Sequence, residues 1–260
     1  MTLEIEPEEA EIVRVIFAKT VKEGYLTVLT SPDYAPYEFY ALDKDGNPSL
    51  AGFDMALAQY IADYLGLTLE VVPVDFNGII GEMGAGIADL ALAGLSPDPE
   101  RETAMDFSDI YYDGKQAFVT VADKASLFTD LASTNSADFT IAAQTGTIQM
   151  DLAQQYSPDP DIVTLTKATD IIAELVSGKL DGGYVEYDVA VAYQANCPDL
   201  HIVCEVPYDV EGNAVGVKPR VGVFDNARVG CEDLRLLVGE PIKGRTLAIR
   251  GYRGGIKAYR

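Results

Sequence analysis

Four apolar runs in this chain end on residues able to hold a charged small molecule. YLTVLT (25–30) runs into Ser31, Asp33 and Tyr34. DLALAGL (89–95) runs into Ser96 and then Arg101. FTIAAQ (139–144) runs into Gly146 and Thr147, and LDGGYV (180–185) into Glu186. In open α/β sheets, ligands bind in the crevice outside the carboxyl ends of the strands. An arginine fork there takes a carboxylate through two parallel N–H bonds. A lone carboxylate takes an ammonium, and hydroxyls complete the set. These groups together suit a ligand carrying both charges, and an amino acid fits that description. No paired acid and base stand out, so Glu186 alone is a thin case for acid–base catalysis. His201, the single histidine, lies in the apolar run HIVCEV and has no evident Ser or Cys partner for a nucleophilic triad. A structural role is expected for it.

The elements that must position these residues alternate in type. Phe53, Leu57, Ile61 and Leu65 recur at steps of four, which predicts a helix over about 52–65. A strand follows at 69–74, a short glycine-weakened helix at 78–86, and DLALAGL as a buried strand. A second series then starts: FTIAAQ, a helix over 147–156, DIVTLT (161–166), and a helix over 169–180 with Thr169 as its N-cap. LDGGYV, a helix over 187–195 and HIVCEV (201–206) as a last strand complete it. Strands alternating with helices argue for parallel βαβ units. The two series, joined around Tyr112–Phe118, predict two α/β lobes with a ligand cleft between them.

Composition narrows the class. A net charge of −22 argues against a nucleic-acid partner, because phosphates would be repelled. The apolar stretches fall short of the ~20 residues a membrane span needs. Residues 1–21 form an acidic leader without the pattern of a signal peptide. Cys197 and Cys204 could close a small loop, or all three cysteines, Cys231 included, could be free thiols. Nothing suggests a zinc site.

Six blocks in order carry a family resemblance over roughly residues 22–217. They are SPDYAPYEF (31–39) with DKDGN (43–47), GFDMALAQYIADYLGL (52–67), the long stretch 75–112, QTGTIQ (144–149), LDGGYVEYDVAVAY (180–193) and GNAVGV (212–217). The chain resembles bacterial extracellular solute-binding protein family 3, whose members deliver polar amino acids to ABC transporters. Ala56 departs from the family signature, which has a second acid there, at a position read as helix surface.

The resemblance implies a type II, two-lobe periplasmic-binding-protein-like fold. It divides the chain into lobe 1 (22–113), lobe 2 (114–210) and a return crossover to lobe 1 (211–217). It gives Arg101 the ligand carboxylate, assisted by Ser96, backbone groups of Gly94, Thr147 and the N–H groups that follow, Ile148 included. Glu186, where many relatives have Asp, takes the ammonium. Tyr34 and Phe76 sandwich the side chain, with Tyr37 nearby. Ser31 stands where binders of basic amino acids often have a carboxylate, which leans toward a neutral ligand. No cofactor, metal or catalytic residue is implied. The expected partners are an amino acid and a membrane permease, and the expected state is a monomer outside the cytoplasm, periplasmic or extracellular and membrane-associated. Two alternatives on this fold are a cyclohexadienyl (prephenate/arogenate) dehydratase-like enzyme and a ligand-sensing input domain of a larger receptor.

The resemblance stops near Val217. Residues 1–217 hold 9 Lys and Arg against 37 Asp and Glu, whereas 218–260 hold 10 against 4. This divergent basic tail is expected to be aberrant, as a reading-frame change would create. The alternative is a basic extension that docks on the acidic body or on anionic lipid.

Overall fold

Residues 24–209 and 212–218 are described by a computed structural model. The acidic leader 1–21, Cys231 and the expectations for the tail beyond Lys218 lie outside the described residues.

The first sheet is built from β1 (Tyr25–Thr30), β5 (Thr68–Pro73), β6 (Leu90–Ala91), β7 (Asp106–Tyr112) and β13 (Asn213–Val217), in the order β5-β1-β6-β13-β7. A small antiparallel sheet, β2 (Asp33–Tyr34), β3 (Glu38–Leu42) and β4 (Pro48–Ala51), precedes helix α1 (Phe53–Leu65). The four-residue spacing of α1 buries Leu57 and Ile61 against Leu26, Val28, Leu90 and Leu92 of the sheet. Gly66 then takes a left-handed conformation and stops the helix. Ala56 lies half-buried in that helix.

The second sheet takes the order β10-β9-β11-β8-β12. It contains β8 (Gln116–Val121), β9 (Thr140–Gln144), β10 (Asp161–Leu165), β11 (Gly182–Glu186) and β12 (Leu200–Val206). Helix α2 (Ile79–Gly84) belongs with the first sheet. Helices α3 (Ile148–Tyr156), α4 (Ala168–Val176) and α5 (Tyr187–Gln194) pack on the second. Ile171 and Leu175 of α4 are fully buried against Ala117, Val119 and Val185. Such burial contributes roughly 25 cal/mol per Å² of apolar surface.

Three expectations needed correction. The sheets are mixed rather than parallel: β1 runs parallel to β5 and β6, and β9 to β10 and β11, but β7, β8, β12 and β13 pair antiparallel. The reversed strands are β8 and β13, the first to follow each of the two places where the chain passes between sheets, after Tyr112 and after Val206; each enters its sheet from the end opposite to its neighbours. HIVCEV is accordingly not the last strand, because β13 returns into the middle of the first sheet. Finally, strand β6 is only two residues long. Leu92 still bonds to Leu29, but Gly94 turns to φ +55 and hands its N–H to Asp54 Oδ2 at 2.9 Å.

Cys197 and Cys204 are free thiols packed into different clusters. His201 lies exposed on β12 opposite Thr120.

Candidate functional site

One buried pocket lies between the two sheets, and residues from both line it. From the first come Tyr34 of β2, Phe76, Gly94, Ser96, Arg101 and Asn213 of β13. From the second come Gln116 of β8, Gln144 at the end of β9, Thr147, Ile148 and Gln149 at the start of α3, and Glu186 at the end of β11. Gln144 and Glu186 stand at the carboxyl ends of their strands, as anticipated, whereas Gln116 and Asn213 open β8 and β13, the two strands that run against their neighbours. Gly146, at φ +74, makes the turn that aims α3 at the pocket. The first N–H groups of a helix lack internal partners and carry positive partial charge, so they favour an anion.

Arg101 is 3% exposed. Its Nε pairs with Asp98 at 2.9 Å, Nη1 donates to the Ser96 carbonyl at 2.8 Å, and Nη2 donates across the cleft to the Gly146 carbonyl at 3.2 Å. The guanidinium carbon sits 5.2 Å from the Phe76 ring centroid, within cation–π reach. A guanidinium has five N–H donors, so two stay available for a ligand while the others fix the plane. Thr147 is buried beside it, but its hydroxyl donates to the Gln144 carbonyl at 2.7 Å. That proton is committed, and the backbone N–H groups of the turn are the free donors.

Glu186 is 2% exposed and accepts Tyr37 Oη–H at 2.5 Å and, weakly, Asn213 Nδ2 at 3.5 Å. Asn213 in turn accepts Ser96 Oγ–H at 3.4 Å. Burial pushes the Glu186 carboxyl up to about 8; the Tyr37 bond offsets part of this, and Asp188 nearby adds to it. A side-chain carbon at Gly114 would overlap Glu186 Oε1, so any larger residue there displaces the carboxylate.

Behind the pocket wall, Asp54 of the family signature accepts Gly94 N–H and Tyr111 Oη–H. Burial raises its carboxyl to about 6. Glu38 is fully buried against it, with no donor bonded to either carboxylate oxygen, and burial followed by Asp54 raises Glu38 strongly. Two acceptor-only groups in contact require a proton between them.

The pocket thus brings together Arg101, Ser96, Gly94, Thr147, Ile148, Glu186, Tyr34 and Phe76. Two expected residues do not line it. Ser31 turns its hydroxyl to Asp33 Oδ1 at 2.8 Å, and Tyr37 stacks behind Tyr34 with its hydroxyl on Glu186. The Gly94 N–H is also unavailable, being held by Asp54. Tyr112, expected at the lobe junction, donates to Asp188 at 2.6 Å. Sequence reasoning missed the four amides Gln116, Gln144, Gln149 and Asn213. Gln149 links Tyr34 Oη at 3.0 Å to Gln116 Oε1 at 2.7 Å. Gln144, Gln149 and Asn213 lie inside the quoted blocks, so their place at strand ends and a helix start was the available signal.

Two α/β lobes enclosing a cleft lined by one buried arginine and one buried carboxylate have the architecture of a two-lobe solute-binding protein. The family model for bacterial extracellular solute-binding proteins, family 3, matches residues 26–157. The arginine-binding extracellular protein ArtP of Bacillus subtilis is 30% identical over 73% of this chain and 72% of its own length. An amino acid ABC transporter substrate-binding protein of Streptococcus pneumoniae, solved bound to L-arginine, superposes with a TM-score of 0.74 at 32% identity, covering 88% of each chain. The cyclohexadienyl dehydratase of Pseudomonas aeruginosa is 25% identical over 68% of this chain and 63% of its own length. The chain belongs to family 3 of the bacterial extracellular solute-binding proteins, and its fold is the type II, two-lobe fold of that family.

Proposed function

We propose that this protein binds an α-amino acid between its lobes and hands it to a membrane permease outside the cytoplasm, as a monomer. The supporting observation is that Arg101 and Glu186, on opposite lobes, face one buried pocket. Arg101 and the N–H groups at the start of α3 take the α-carboxylate, and Glu186 with the Gly94 carbonyl takes the α-ammonium. Tyr34 and Phe76 flank the side chain. The lobes are read as 22–113 with 211–217, and 114–210. Ligand contacts from both lobes favour the closed arrangement by population shift.

Arginine is the first candidate. The lean toward a neutral ligand rested on Ser31, which the pocket does not use. The Gln144 amide nitrogen faces only acceptors, Thr166 O and Asp33 Oδ2, so its carbonyl is left for a donor-rich group such as a guanidinium. Among the described residues, Glu186 is the pocket's only lining carboxylate, and the α-ammonium takes it, so the guanidinium would be held by neutral acceptors such as the Gln144 carbonyl. The matched relatives named for arginine point the same way. The activity is solute binding, not dehydration.

Thermal unfolding of the purified chain against the twenty amino acids tests this, because a ligand that binds only the folded state raises the midpoint. Arginine should give the largest rise. A cooperative transition that no amino acid moves would refute the reading.

A further inference from the structure

Asp33 does not line the pocket, yet it ties the first lobe to the second at several points. It sits just after β1, 8% exposed, and Ser31 Oγ–H orients one of its carboxylate oxygens from the same lobe. The other oxygen, Oδ2, accepts the backbone N–H of Ala168 at 2.7 Å, the first residue of α4 in lobe 2. That nine-residue helix has no cap from its own side chains, and Thr169, the cap expected from sequence, lies inside it. A helix start supplies unpaired N–H groups and positive partial charge, both satisfied by a carboxylate. Lys167, just before α4, adds its charge at the same carboxylate. Oδ2 also faces Gln144 Nε2 at 3.4 Å, and the Asp33 carbonyl accepts Tyr193 Oη–H of α5 at 3.0 Å.

We propose that Asp33 is a cross-cleft latch: it caps α4 only when the lobes meet, and through Gln144 it sets which hydrogen-bonding face the pocket shows to the ligand side chain. An open protein loses the cap and one of the two acceptors that orient the Gln144 amide, keeping only the Thr166 carbonyl. Asp33 is therefore a positioning residue, and side-chain selectivity depends on closure. The selectivity half rests on the amino-acid reading above, whereas the latch itself does not.

Amide hydrogen exchange on the full chain, without ligand and saturated with arginine, tests the latch. In whichever state closes the lobes, the Ala168 amide of Asp33→Ala should exchange at least about tenfold faster than that of the wild type, since it loses a charged acceptor. Exchange at Ile171 and Leu175, deeper in α4, should not change. Asp33→Asn keeps one carbonyl acceptor and should fall between the two. Equal Ala168 rates in the wild type and in folded Asp33→Ala, with and without arginine, would overturn the latch. If that variant does not fold, equal rates in Asp33→Asn would overturn it. Titration calorimetry with arginine and glutamine tests the second half: the preference between them should narrow in Asp33→Ala, and an unchanged preference would overturn it. A wild type that binds neither would sink the functional reading and, with it, the selectivity half, while the Ala168 comparison would still decide the latch.

Discussion

Raising the pH from about 6.5 to about 8.5 is expected to tighten amino-acid binding through one group. Glu186 is buried and holds its proton up to about 8 in the empty pocket. An α-ammonium needs the carboxylate, so binding must first expel that proton. The apparent dissociation constant carries the factor 1 + 10^(pKa − pH), about 30 at the lower pH and about 1.3 at the upper. Affinity should therefore rise about 25-fold, or about 1.9 kcal/mol. The lower limit of the range lies above the titration of Asp54, whose carboxyl rises only to about 6. Calorimetric titration with arginine in buffers of different ionisation heat reads both quantities. About one proton should leave per ligand at the lower pH and almost none at the upper, where the ligand's own ammonium begins to titrate. In Glu186→Gln both trends should vanish and binding should be weaker throughout. A wild-type affinity that is flat over this range, with no buffer-dependent heat, would show that Glu186 does not receive the ammonium.

Arg101→Ala should weaken binding at least about 100-fold in the same calorimeter, because a buried carboxylate loses its charged partner; near-normal affinity would remove Arg101 from the site. Gly114→Ala should lose at least about tenfold in affinity and about 1–3 kcal/mol in stability, since the new carbon displaces Glu186; a titration matching the wild type would refute the close approach. The unliganded protein should lose stability as pH rises. Glu38, Asp54 and Glu186 all have folded values raised by burial. Each group is neutral in both states below the ordinary carboxylate range. Above it the unfolded chain ionises first, so stability falls until the folded value is passed, near 6 for Asp54 and near 8 for Glu186. Melting temperatures between about pH 5 and 8 should therefore decline, and arginine should restore most at the upper end; a rise with pH would contradict the burial argument.

Much of the framework was readable because it is local. The four-residue spacing from Phe53 to Leu65 needs only the helix period, and it gave that helix to within a residue. The strand-end rule placed Ser96, Arg101, Thr147 and Glu186 in one pocket. What was not readable depends on distant partners. Strand direction is set by where the chain re-enters a sheet, so a short apolar run such as 213–217 carries no sign of its antiparallel place between β6 and β7. Thr169 satisfied the sequence rule for a cap, but a carboxylate far away in the chain took the position. Ser31 and Tyr37 have the residue types of ligand contacts and were drawn behind the wall by Asp33 and Glu186. Amides carry no charge and no period: Gln144 offered only its place at a strand end, and Gln116, outside every quoted block, is shown only by the assembled pocket.

The central place of β13 also sets an order of events during synthesis. All the strands of the second sheet come from one unbroken stretch, 116–206, whereas the first sheet keeps a gap between β6 and β7 until residues 213–217 arrive. As the chain emerges, the later-encoded lobe can finish while the earlier one still waits, its unpaired strand edges open to wrong partners. A ribosome or translocon that releases the chain after Val206 but before β13 is complete delivers one sound lobe and one incomplete lobe.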